Sequence, residues 1–140
     1  MGVVLLAEDN PDDAWLIERA VRKTLPNPIQ WAKDGYEALA YIRGDGEFGN
    51  REQFPYPDLL LLDLRMPNLD GFGVLRWLQS MKSVHSVLTI VLSSTRELWE
   101  LREAYNLGAN SFLAKPPNVA ELKSTLEAWG VRSKGEIDHS

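Results

Sequence analysis

The chain contains no cysteine, which excludes disulfides, thiolate metal sites and a thiol nucleophile. Histidine is almost as scarce, with two in 140 residues. Neither His85 nor His139 has a partner at metal-ligand spacing, and both read as surface residues. There is no basic excess. Fifteen Lys and Arg against twenty Asp and Glu leave a net charge of −5, which argues against a protein that grips nucleic acid by its phosphates. No stretch approaches the roughly 20 apolar residues of a membrane span. The opening MGVVLLAEDN turns acidic where a signal peptide stays apolar. The expectation is a cytoplasmic protein with neither nucleic acid nor membrane as partner.

Hydrophobic residues are not scarce. At 44% of the chain they suffice for the core of a single domain. They fall in five short runs: VVLLA (3–7), IQWA (29–32), LLLLD (59–63), VLTIVLS (87–93) and SFLAK (111–115). Between the runs the spacing turns helical. Ala14, Ile17, Val21 and Leu25 share one face of a first helix, with Asn10 as its cap, Pro11 at its first position and Asp12 and Asp13 in its first turn. Tyr36 to Arg43 is a shorter second helix. Asp70 caps a third, carrying Val74, Leu78 and Met81. Leu98, Leu101 and Tyr105 mark the face of a fourth, closed by Gly108, with Trp99 out of phase and exposed. Asn118 and Glu121 form a capping-box pattern ahead of Val119, Leu122, Leu126 and Trp129, closed by Gly130. The other tryptophans read as core or half-buried. Gly44 to Pro57 reads as a long surface loop and the last ten residues as a frayed tail.

Strand and helix thus alternate five times, and the central strands are continuously apolar. That pattern predicts a parallel sheet covered by helices on both faces. Ligands of such sheets lie beyond the carboxyl ends of the strands, where polar residues collect. Glu8 and Asp9 follow the first strand, Asp63 ends the third, Ser93, Ser94 and Thr95 follow the fourth, and Lys115 ends the fifth. Three carboxylates at one edge repel one another unless a cation sits among them. Hard oxygen donors suit Mg²⁺. Acids, a divalent ion, a lysine and a hydroxyl are the equipment of phosphoryl transfer, and a carboxylate can serve as its nucleophile. Asp63 is the candidate, fixed at the tip of a strand that four leucines bury.

Each residue also has a plainer reading: Asp9 as a helix cap, Asp63 as a loop acid, Lys115 as a solvated lysine and Ser93 as a strand-end hydrogen bonder. Their joint placement at four strand ends favours the chemical one. Two rival chemistries fit less well. An aspartyl phosphatase wants an acid two residues after its nucleophile, and Arg65 cannot be one. A flavin-phosphate site after the first strand would face Glu8, Asp9, Asp12 and Asp13, which repel a phosphate.

Together, Glu8-Asp9, the run D-x-x-M-P-x-x-D-G from Asp63 to Gly71, Ser93 at the end of strand four, and Lys115-Pro116 after strand five resemble the receiver domain of two-component response regulators. The likeness covers residues 3 to 130. It implies an α/β, flavodoxin-like (βα)₅ fold, doubly wound, with a five-stranded parallel sheet and helices on both faces. The receiver would occupy 1–130 and a tail 131–140. Asp63 would accept a phosphoryl group from a sensor histidine kinase or phosphotransfer protein. Glu8, Asp9, Asp63 and the backbone carbonyl of Arg65 would hold Mg²⁺, Asp9 directly and Glu8 through water. Lys115, its bond to Pro116 cis, would pair with the phosphoryl group. Ser93 and Phe112 would form the switch. Such a module assists its own phosphorylation and dephosphorylation without being a conventional enzyme, and signals through a downstream protein target. The EDNPDD opening and the long loop are similar to stand-alone receivers of the bacterial-phytochrome type, which implies a homodimer through the C-terminal helices, and the ten residues after Gly130 leave no room for an expected output domain. Departures from the family pattern are Glu8 in place of the commoner Asp, Ser93 in place of Thr, and Pro117 where an aromatic often stands. Arg65 and Thr95 flank the site where residues tune phosphoryl lifetime.

Overall fold

The computed structural model describes residues 2–81, 87–94 and 97–131. His85, Thr95, His139 and the tail beyond Val131 lie outside the described residues. Five parallel strands form one sheet: β1 (Val3–Ala7), β2 (Ile29–Ala32), β3 (Pro57–Asp63), β4 (Leu88–Ser93) and β5 (Ser111–Ala114). Their order is β2-β1-β3-β4-β5. Five helices connect them: α1 (Pro11–Thr24), α2 (Gly35–Arg43), α3 (Gly71–Ser80), α4 (Leu98–Asn106) and α5 (Val119–Ala128). The expected α/β doubly wound arrangement is present. No helix among the described residues is long and apolar enough to cross a membrane.

Side-chain alternation along the strands divides the core in two. Val4, Leu6, Leu59, Leu61, Ile90, Leu92 and Leu113 pack against α1 and α5. Leu5, Ala7, Leu60, Leu62 and Val91 pack against α2, α3 and α4. Both faces of β3 are covered, which is why its sequence is a continuous run of leucine. The helix ends follow their capping chemistry. Asn10 Oδ1 accepts from the Asp12 and Asp13 N–H groups at 2.9 and 3.1 Å. Asp34, Asp70 and Asn118 cap α2, α3 and α5 in the same way. Gly108 and Gly130 have φ of 106° and 81°. Each closes its helix with a pair of bonds, Gly108 N to Tyr105 O with Ala109 N to Ala104 O, and Gly130 N to Glu127 O with Val131 N to Leu126 O. This left-handed closure excludes most side chains.

Five expectations need correction. The inward residues of α4 are Glu100 and Ala104, not Leu98, Leu101 and Tyr105; Leu98 and Tyr105 are exposed. The apolar period there marks a surface face. In α5, Leu122 and Leu126 are buried, but Val119 and Trp129 at its ends are exposed. None of the five tryptophans is in the core: Trp15, Trp99 and Trp129 are exposed and Trp31 and Trp77 half-buried. Aliphatic side chains fill the interior, and indoles lie on it, Trp15 and Trp77 beneath Arg19 and Arg43. The segment after α2 is more than a surface loop. It holds a 3-10 turn at Gly46–Gly49 and packs Phe48 and Phe54 against Tyr41 at ring separations of 5.1 and 6.3 Å. Arg51 donates to the carbonyls of Tyr41 and Ile42 at 2.9 and 2.8 Å, closing the end of α2. Val131, assigned to the tail, is half-buried against the α1–α5 core.

Candidate functional site

The carboxyl ends of β1, β3 and β5 meet on the face that α1 and α5 cover. Glu8 continues the alternation of Val4 and Leu6, Asp63 that of Leu59 and Leu61, and Lys115 that of Leu113. Three side chains of one parity therefore converge above the core. Glu8 is fully buried and Asp63 is 3% exposed. Burying a leucine stabilises by about 2 kcal/mol, and the apolar strand beneath offsets the cost of holding Asp63 out of water.

Lys115 Nζ is the hub. It donates to Glu8 Oε1 at 2.7 Å and Asp63 Oδ2 at 3.2 Å, and lies 3.0 Å from Asp13 Oδ2. The peptide bond from Lys115 to Pro116 is cis. Burial opposes the ammonium, but the bonds to Glu8 and Asp13 and the charge of Asp63 outweigh it and hold Lys115 above the usual lysine range. Glu8 responds in the opposite sense to its charge. Burial pushes its carboxyl up to about 7, against the hydrogen bond from Lys115. One ammonium serves three carboxylates, of which Glu8 is the most deeply buried. The remaining Glu8 oxygen, Oε2, accepts from the Asn10 N–H at 3.2 Å. The Trp31 indole donates to the Glu8 carbonyl at 2.7 Å, fixing the backbone at the tip of β1.

The loop from Leu64 to Asp70 folds tightly behind Asp63. The Arg65 N–H donates to Asp63 Oδ1 at 3.2 Å. The Gly71 N–H donates to the Leu64 carbonyl at 3.1 Å. A Cβ at Gly71 would lie 2.5 Å from the Asp63 carbonyl oxygen and 2.8 Å from Leu64 Cα, so only glycine lets α3 begin this close to the site. Asn68, at φ 68°, bonds to Asp34 at 2.7 Å and ties the loop to the cap of α2.

Glu8, Asp9 and Asp63 each present a carboxylate oxygen, and these lie within 4.8 Å of one another. A cluster of hard anionic oxygens with Asp9 open to solvent fits a small dication. The dication would stabilise the charged form of Glu8 that burial disfavours. Ser93 is 1% exposed. It continues the parity of Val91 and so lies toward α4, on the face where Phe112 sits half-buried. The structure therefore gathers Glu8, Asp9, Asp63 and Lys115 directly and sets Ser93 and Phe112 together on the opposite face of the sheet.

Three contacts were missed in the sequence. Asp13 reads as a helix-dipole acid, and its pairing with Lys115 depends on where α1 lies. Trp31 carries no sign of its bond to Glu8. Glu100, fully buried, pairs with the Arg65 guanidinium. Its only signal is the spacing of Glu100, Ala104 and Leu107, which the more apolar neighbouring face obscured.

Comparison with known proteins identifies the family. The response regulator receiver domain family matches residues 4–127. The response regulator Rcp1 of Synechocystis is 30% identical over 86% of this chain and 80% of its own, and a solved structure of the Mn²⁺-bound form of response regulator Rcp1 has a TM-score of 0.75 and 26% identity over the full length of both chains. The bacteriophytochrome response regulator AtBRR is 33% identical with a TM-score of 0.82, over 100% of this chain and 99% of its own. The phosphorylated cyanobacterial phytochrome response regulator RcpA is 31% identical with a TM-score of 0.78, over 99% of each chain.

Proposed function

We propose a function from one premise: the chain belongs to the response regulator receiver domain family, the CheY-like modules of two-component phosphorelay signalling. Receivers interact with histidine kinases or phosphotransfer proteins and with downstream targets, and hold a divalent metal at an acidic pocket. In this chain the receiver spans 1–130 and Asp63 is the acceptor. A carboxylate oxygen of Asp63 attacks phosphorus as the bond from phosphorus to the donor histidine nitrogen breaks, and the electron pair leaves with the imidazole.

Glu8, Asp9, Asp63 and the Arg65 carbonyl hold Mg²⁺. When bound, the ion supplies charge neutralisation for the transferring group. Lys115 is the observation that carries the reading: its ammonium bridges Glu8 at 2.7 Å and Asp63 at 3.2 Å, where charge develops on phosphoryl oxygens. Ser93 turns to the new phosphoryl oxygen and Phe112 follows, a local charge event biasing a two-state surface. The output is a protein contact in the cytoplasm. Self-association through the last helices is supported by the apolar residues they leave in water, Leu98, Trp99 and Tyr105 on α4 and Val119 and Trp129 on α5.

The test is intact mass after incubation with acetyl phosphate, with and without Mg²⁺, for the native protein and Asp63→Asn. The native protein gains one phosphoryl group only with Mg²⁺ and the variant gains none. Equal uptake by both removes Asp63 as acceptor. Native mass of the same samples reports the dimer.

A further inference from the structure

Glu100 is a carboxylate with no exposed surface, in the first turn of α4. Its Oε1 pairs with Nη2 of Arg65. Its Oε2 has no partner among the described residues. The only other inward residue of α4 is Ala104. Half-buried Leu107 and the stack of Trp99 on Phe72 complete the apolar part of the seat, and its distinctive part is a buried charge that one cation holds among the described residues. That cation is not itself buried, since the Arg65 side chain is 67% exposed. It also springs from the acceptor, because the Arg65 N–H is bonded to Asp63 Oδ1 at 3.2 Å.

Resting on the receiver reading, we propose that Glu100 is a positioning residue that latches α4 to the phosphoacceptor loop. In the unmodified protein its carboxylate holds the Arg65 guanidinium away from Asp63. A phosphoryl group on Asp63 brings a second and more highly charged anion within reach of the same guanidinium. A phosphoryl group also offers three oxygens for the planar fork of donors, where Glu100 uses one. The guanidinium changes partner. Glu100 is then a buried carboxylate without a cation, which is strongly unfavourable, and α4 leaves its seat to return that carboxylate to water. The stack of Trp99 on Phe72, centroids 6.4 Å apart and 13° from parallel, opens with it. The latch works on the face of the sheet where Ser93 and Phe112 lie, so both devices bias the same helix.

The test is hydrogen exchange of the α4 amides, expressed relative to the α1 amides so that a global change in stability cancels. The full chain is compared as native protein, Arg65→Ala, Glu100→Gln and the double variant, each without additive and with Mg²⁺ and beryllofluoride. Acetyl phosphate uptake by intact mass is run in parallel. Without additive, Arg65→Ala exchanges in α4 at least about tenfold faster than native, and adding Glu100→Gln restores protection to within about threefold, because a neutral amide needs no cation. Beryllofluoride speeds α4 exchange in the native protein by about tenfold and in Glu100→Gln by far less. Native-like α4 exchange in unmodified Arg65→Ala overturns the latch without reference to phosphorylation. So does an equal response to beryllofluoride in native and Glu100→Gln. Absence of phosphoryl uptake by the native protein overturns the receiver reading and the change of partner with it, while the additive-free comparison still decides whether Arg65 and Glu100 seat α4.

Discussion

α1 and α4 both begin at the acidic end of the sheet, on opposite faces, and are anchored by different physics. α1 buries Ala14, Ile17, Ala20, Val21 and Thr24, and Asp13 at its start reaches Lys115. α4 buries one glutamate and one alanine and leaves Leu98, Trp99 and Tyr105 in solvent. A helix seated by a broad apolar stripe leaves its seat only when the protein unfolds. A helix seated by an ion pair leaves when its cation finds a better anion. The receiver thus has a fixed flank that carries the acid site and a movable flank that can report on it.

The sharpest way to break that contrast is to cut into the fixed side. Ile17 is 1% exposed and lies in the core between α1 and the sheet. Ile17→Ala removes three buried carbons and lowers global stability by about 3 kcal/mol, read as a drop in the urea midpoint at unchanged slope. A loss below about 1 kcal/mol would mean that α1 is no better anchored than α4.

The same difference explains what could be read in advance. α1 was legible because its apolar period, its Asn10 cap and its core face coincide. The site was legible in the main because strand ends concentrate it: a hydrophobic run that stops at Glu8, Asp63 or Lys115 declares which residue surfaces. α4 was misread because the residues that look like a core stripe are the ones in solvent, while the buried one is charged. The spacing of Glu100, Ala104 and Leu107 is the one local mark of Glu100, and its partner Arg65 lies thirty-five positions earlier. Asp13 and Trp31 belong to the same class, with ordinary local roles and a partner that only the tertiary fold supplies. The aromatic packing of Phe48 and Phe54 on Tyr41 was hidden by the glycines and prolines around it.

A smaller effect separates Glu8, at the fixed end, from ordinary surface acids. Burial raises its carboxyl from 4.5 to about 7, so the folded state binds this proton more tightly than the unfolded chain does. Its contribution to stability is complete below about pH 4.5 and is lost as pH rises through 7. In chelator the native protein should lose on the order of 2 kcal/mol more than Glu8→Gln between pH 5 and 8. Saturating Mg²⁺ should abolish the difference, because the dication favours the charged carboxylate. Parallel stability curves in chelator for the two proteins would mean that Lys115 and the Asn10 N–H compensate Glu8 fully.

The smallest effect lies on the movable flank. Tyr105 belongs to the apolar face of α4 but is 49% exposed, so Tyr105→Ala should change global stability by no more than about 0.5 kcal/mol in the same urea titration. The contrast with Ile17 is informative because both residues sit in a hydrophobic helical period and differ only in which way the helix faces. A cost near that of Ile17→Ala would place the apolar face of α4 inward and remove the reason for treating Glu100 as its anchor. A negligible cost leaves Tyr105, with its exposed neighbour Leu98, as surface that the unmodified protein does not use for its own stability. An apolar surface of that kind is available to a partner, and α4 can present it in two positions only if its own seat is as easily undone as a single ion pair.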